Sequence, residues 1–82
     1  MYIIVSGDKK ILYENDKGFK LDGINVENVK ENYNVKRFPT VCSVMDFITE
    51  NVKYFQDKTD GTIFIIPSEN EHSQCVKVNF TS

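Results

Sequence analysis

Pro39–Asp57, PTVCSVMDFITENVKYFQD, is the stretch whose reading decides the fold. At about 100° per residue, Val41, Val44, Met45, Ile48, Val52 and Phe55 fall on one arc, with Phe47 at its edge. Cys42, Asp46, Thr49, Glu50 and Lys53 fall on the opposite side. The pattern predicts one amphipathic helix over about 41–56 that lays an apolar stripe on a core. Thr40 or Ser43 can cap its first turn, Asp46 complements the helix dipole, and Pro39 marks its entry. Phe47, Ile48 and Val52 are expected to be buried, and Asp46, Glu50 and Lys53 exposed. Asn51 falls inside the apolar arc and reads as a buried amide bonded to a backbone group at the end of a strand, or as a polar group in a ligand pocket.

On the N-terminal side lie two β-forming runs, Tyr2–Ser6 and Lys9–Glu14, joined by Gly7-Asp8. Glycine at the first central position suits a two-residue type II′ turn. That register pairs Ser6 with Lys9, Ile4 with Ile11, Ile3 with Leu12 and Tyr2 with Tyr13. Asn15-Asp16-Lys17-Gly18 and Asp22-Gly23 are turn signals, with Phe19-Lys20-Leu21 between them as a third strand or a tucked loop. Asn25, Val26, Val29 and Tyr33 have the spacing of a short helix over about 26–33, and Val35–Phe38 suits a short strand.

On the C-terminal side, Asp57–Gly61 is a polar turn and Thr62–Ile66 a continuous apolar run ended by Pro67. Such a run suits a central strand. Val76, Val78 and Phe80 alternate with Cys75, Lys77 and Asn79, so a last strand over 75–80 shows one dry and one wet face. The sum is a single α+β domain over 1–82: four or five mostly antiparallel strands, with N- and C-terminal hairpins, packed on one long helix. Because consecutive strand residues point to opposite faces, Tyr2–Val5 and Thr62–Ile66 place apolar side chains on both sides of the sheet. A homodimer covering the second face is the expected consequence, unless Phe19–Phe38 folds across it.

The chain has 82 residues, a net charge of −2 and 40% hydrophobic residues, which is ordinary for a water-soluble domain. Its mild acidity argues against nucleic-acid and membrane-surface roles, which need clustered Lys and Arg. No apolar run is long enough for a membrane span or a signal peptide, so a cytoplasmic location is expected. Nine lysines against one arginine, no alanine, and eight each of Asn and Ile fit an AT-rich genome such as that of a low-GC bacterium or its phage.

Phosphate loops, nucleophile elbows and paired metal-ligand motifs are all missing from the sequence. His72-x-x-Cys75 lacks the second close ligand pair that zinc sites use, so neither metal nor cofactor is expected. Cys42 sits in the first helical turn, where the dipole favours a thiolate and Asp46 opposes one, so no activated nucleophile is expected. Lys9, Lys10, Lys36 and Arg37, with Tyr13 and Phe38, could form a basic and aromatic strip for single-stranded nucleic acid, but Asp8, Glu14 and Asp16 dilute it. Glu69, Asn70, Glu71 and His72 lie in a long polar loop suited to a basic partner surface, and Asp46, Glu50 and Lys53 form a second polar surface on the helix. The reading that follows is a non-enzymatic protein-binding module. Its size and composition suit a phage or mobile-element inhibitor of a host defence protein, as anti-CRISPR proteins are. A nucleic-acid-binding regulator and a small-molecule binder or small enzyme are the alternatives.

Overall fold

The computed structural model describes residues 1–23, 34–67 and 75–79. The strands are β1 (Tyr2–Ser6), β2 (Lys10–Asn15), β3 (Gly18–Gly23), β4 (Asn34–Val35), β5 (Thr62–Pro67) and β6 (Val76–Asn79). Two helices, α1 (Val41–Glu50) and α2 (Val52–Lys58), lie between β4 and β5. The sheet runs in the order β3-β2-β1-β5-β6, with β4 beside β2, and all its described pairings are antiparallel. This is the α+β fold that the hydrophobic patterns predict. The short helix expected over 26–33 lies outside the described residues, as does Phe80.

The sheet is built around β1, which pairs with β5 over its whole length, from Tyr2 opposite Pro67 to Ser6 opposite Ile63. On its other side β1 meets β2 only at Val5 opposite Ile11. Beyond that point the two strands separate and the chain from Asn34 to Phe38 fills the gap. It first follows β2, with Val35 opposite Tyr13 and the Lys36 amide donating to Leu12 at 3.0 Å. It then turns onto β1, where Phe38 and Tyr2 exchange two backbone hydrogen bonds of 2.8 Å each.

The β1–β2 turn is one residue longer than the expected Gly7-Asp8 turn, so the predicted register is shifted. Val5, not Ser6 or Ile4, sets the pairing, and Ile11 is its partner. The Lys9 amide closes a turn onto the Ser6 carbonyl at 3.0 Å, and Lys9 itself takes a left-handed φ of 67°. This is a three-residue loop. The type II′ turn expected at Gly7 is therefore not formed, and Gly7 instead allows a close approach of Asp60. A Cβ there would lie 2.8 Å from both carboxylate oxygens of Asp60.

Helix α1 begins at Thr40, whose side chain accepts the Ser43 amide at 3.1 Å while Ser43 Oγ accepts the Thr40 amide at 3.2 Å. This is a reciprocal capping box. The expected dipole partner is absent from that turn: no acidic residue lies in it, and Asp46 is exposed farther along. The single long helix expected over 41–56 is interrupted at Asn51, which has φ −124° and ψ 31°. The Asn51 side chain donates to the Phe47 carbonyl at 2.9 Å, as its own amide does at 3.1 Å. Asparagine offers the backbone an alternative partner and so favours helix ends over helix interiors. Its partner is thus a helical carbonyl rather than a strand end. Beyond the interruption Phe55 is buried as predicted and Tyr54 packs beside the core, while Val52 is exposed, against expectation.

The core lies between the helices and one face of the sheet: Ile4, Leu12, Phe38, Val44, Ile48, Phe55, Ile63 and Ile65 are buried. Each such side chain contributes about 1.5–3 kcal/mol by leaving water. Phe47, expected to be buried, is half-buried beside this cluster, and Asp46, Glu50 and Lys53 are exposed as predicted. Met45 from the predicted arc is exposed, and so is Val76, from the expected dry face of the last strand.

Candidate functional site

The alternation of strand residues divides the sheet into two surfaces. Ile4, Leu12, Ile63 and Ile65 face the helices. Ile3, Val5, Ile11, Tyr13, Phe64 and Ile66 therefore point the other way. The register joins them: Ile3 lies opposite Ile66, and Val5 opposite both Phe64 and Ile11. All are half-buried. Both described helices pack on the other side, so this second face is apolar across the three middle strands, with Val35 opposite Tyr13 and the exposed Arg37 from the inserted segment between β1 and β2. Lys20, Asp22 and Lys77 share its rim, with a 3.3 Å ion pair between Lys20 and Asp22.

Two polar clusters border the sheet, and both are tied into the fold. At the β1–β2 turn the buried Ser6 hydroxyl donates to the Asp8 carboxylate and accepts the Lys10 amide at 3.0 Å. The Lys10 ammonium lies 3.3 Å from Asp8 and donates to the Lys58 carbonyl at 3.3 Å. Hydrogen bonding from Ser6, opposed by slight desolvation and assisted by Lys10, holds the Asp8 carboxyl below its ordinary value. With its hydroxyl buried and already donating, Ser6 is poorly placed to attack a substrate. The second cluster pairs Lys36 with Glu14 at 2.8 Å. The same ammonium stands 5.0 Å from the Phe38 ring centroid and 5.4 Å from that of Phe47.

These contacts bear on the residues singled out from the sequence. Of the proposed basic strip, Lys10 and Lys36 are engaged by Asp8 and Glu14, Lys9 is exposed in the turn, and the Arg37 side chain reaches back to the Val35 carbonyl at 3.5 Å. Cys42 and Cys75 are exposed free thiols. Asn51 is half-buried and committed to Phe47. Asp46, Glu50 and Lys53 lie together on the exposed side of the helices. Glu69, Asn70, Glu71 and His72 lie outside the described residues. Among the described residues no group of three His, Cys, Asp or Glu side chains could hold a metal ion. No described helix is long and apolar enough to cross a membrane.

The two outer strands differ in a way that sequence reading missed. Strand β3 is covered: Phe19 packs edge-on against Phe47 and Tyr54, each with centroids 4.9 Å apart. The Tyr54 hydroxyl also accepts the Leu21 amide at 2.8 Å, satisfying a donor that points away from β2. Strand β6 ends the sheet with Val76 40% exposed. No protein-family model, curated protein or solved structure matches the chain.

Proposed function

We propose that this protein is a non-enzymatic protein-binding module that acts by holding a partner protein against the second face of its sheet. The observation that carries this reading is the apolar surface of Ile3, Val5, Ile11, Phe64 and Ile66, with Tyr13 at its margin, on the side away from both described helices. Apolar surface of that continuity, with a rim of mixed charge, suits a protein surface better than a phosphate backbone. The ion pairs of Lys10 and Lys36 weaken the nucleic-acid alternative further. In this reading the chain is an inhibitor that works by occupancy, and its composition suits a phage or mobile element directed at a host defence protein, such as a CRISPR component.

Capture experiments with folded variants test it. Immobilised wild-type chain is expected to retain one protein, in stoichiometric amount, from the lysate of a low-GC bacterium. Ile66→Lys, on the second face, is expected to lose that protein, and Val76→Lys, on the β6 edge, to keep it. Equal capture by Ile66→Lys, or a gel shift of single-stranded oligonucleotide that fades with salt, overturns the proposal.

A further inference from the structure

The second face of the sheet carries charge as well as apolar surface, and two of its charges bracket β1 and β5. The register sets Ile3 opposite Ile66 and Val5 opposite Phe64, so two apolar rows cross this central pair of strands. On the β6 side, Lys77 lies directly opposite Phe64 and shares its face. On the other side of β1, Phe38 exchanges hydrogen bonds with Tyr2 and is buried in the core. Its neighbour Arg37 therefore projects to the second face. One exposed cation thus stands on each side of the apolar rows.

These two cations differ from others on the sheet. Lys10, Lys20 and Lys36 are paired with Asp8, Asp22 and Glu14. Among the described residues no ion pair reaches Lys77 or Arg37, and the Arg37 guanidinium makes only a long hydrogen bond to the Val35 carbonyl at 3.5 Å. Asp22, on the same face, is matched by Lys20. The chain has a net charge of −2, yet the described strands present an excess of positive charge on this face.

The spacing of the strands sets the shape of what fits between these charges. Neighbouring strands lie about 4.8 Å apart, so the backbones of Arg37 and Lys77 are separated by about 14 Å across the sheet, with β1 and β5 between them. An α-helix with its side chains is about 10–12 Å wide. A helix laid along β1 and β5 therefore covers Ile3, Val5, Phe64 and Ile66, with Lys77 beside one flank and Arg37 beside the other. We infer that the partner element held by this face is an amphipathic helix with an apolar stripe and carboxylates along both flanks. The inference rests on the protein-binding reading above and adds the shape and charge of what is bound. Long cationic side chains at the margin of an apolar patch lay their methylenes along a bound helix and keep their charge at the rim, where it orients an acidic partner. A helix with basic flanks meets like charge on both sides and is rejected.

Peptides of defined sequence test this. The probe is a fluorescein-labelled peptide of about 18 residues, with a leucine stripe, glutamates on both flanks and alanines on the back. The control carries lysine in place of each glutamate. In anisotropy titrations the wild-type chain is expected to bind the glutamate peptide saturably, more weakly as salt rises from about 50 to 300 mM, and not to bind the lysine peptide. Lys77→Glu and Arg37→Glu alter exposed side chains and are expected to keep the wild-type circular dichroism. Each is expected to weaken binding of the glutamate peptide about three- to tenfold, and the double variant to bind the lysine peptide instead. Ile66→Lys is expected to bind neither. Absent binding of the glutamate peptide, equal binding of the two peptides, or unchanged affinity in Lys77→Glu and Arg37→Glu overturns the inference. A lysate protein that is lost by Ile66→Lys but retained in full by Lys77→Glu and Arg37→Glu leaves the face as a binding surface and overturns only its preference for an acidic helix. Salt-sensitive binding of a single-stranded oligonucleotide that Lys77→Glu abolishes overturns both readings. A mass by light scattering of twice 9.5 kDa that returns to the single-chain value in Ile66→Lys assigns the face to a second copy and likewise overturns the inference.

Discussion

The two ends of the sheet solve the same problem differently. An outer strand leaves backbone donors and acceptors without a neighbour. At β3 the helices lean over the strand: Phe47 and Tyr54 grip Phe19, and a tyrosine hydroxyl takes the Leu21 amide. At β6 Val76 remains exposed, as do Met45 and Val52 on the helices. The asymmetry originates in one short piece of sequence. Phe47 and Tyr54 are seven residues apart, two helical turns, and project to the same side. Aromatic residues are thus spent on one edge, and smaller, unbranched or β-branched side chains are left on the other.

Substitutions on the two flanks of the helices give the largest contrast. Phe47 stacks edge-on with Phe19, Phe38 and Phe55 at centroid distances of 4.9, 5.3 and 6.0 Å. Phe47→Ala is expected to destabilise the fold by about 3 kcal/mol, the low end for a truncated aromatic because the ring is only half-buried. Met45→Ala is expected to stay within roughly 0.5 kcal/mol. Both are to be measured by urea unfolding. Similar losses at the two positions would show that the helix phase described here is wrong.

A smaller effect isolates the closure of β3. Tyr54→Phe keeps the ring contacts and removes the hydroxyl that satisfies Leu21. The expected loss is about 1 kcal/mol, with faster hydrogen exchange at the Leu21 amide and unchanged exchange at Ile65. An unchanged Leu21 amide would assign the closure to the rings alone.

Much of this architecture was legible in the sequence, and the parts that were not have identifiable causes. Continuous apolar runs at Tyr2–Ser6 and Thr62–Ile66 predict strands with apolar residues on both sides, and the pairing of Ile3 with Ile66 and Val5 with Phe64 joins them into the second face. A cap at Thr40 or Ser43 was legible because capping is local, and the structure uses both residues in one reciprocal box. The interruption at Asn51 was not, because a 3.6-residue period assumes an unbroken ladder; the signal available was asparagine's poor helix propensity. The β1–β2 register failed at Gly7, where glycine accommodates Asp60 from a distant turn and Lys9 adopts the left-handed conformation instead. Which strands lie at the edges depends on pairings far apart in the chain, including the Asn34–Phe38 segment between β1 and β2, and no local pattern encodes that. Lys77 was a hint, since lysine is favoured on strands that end a sheet.

The smallest expected effect lies at neither edge and serves as their control. The Asp8 carboxyl is held below its ordinary value chiefly by the Ser6 hydroxyl, with desolvation opposing and Lys10 assisting. A carboxylate whose folded value is depressed adds stability above its unfolded value, near 3.8 here, and that contribution is lost as pH falls through the lower folded value. The sign is therefore fixed: wild-type stability should fall as the pH drops below about 4, more steeply than that of Asp8→Asn. The group is well exposed, so solvent screening keeps the difference small. The comparison must be made between the two proteins, since the other carboxylates titrate in both. Because Ser6 and Lys10 belong to β1 and β2, the acid transition should loosen the middle of the sheet and leave the Leu21 amide bonded to Tyr54. Parallel pH curves for the two proteins would mean that the Ser6–Asp8 hydrogen bond contributes nothing to the stability of the turn.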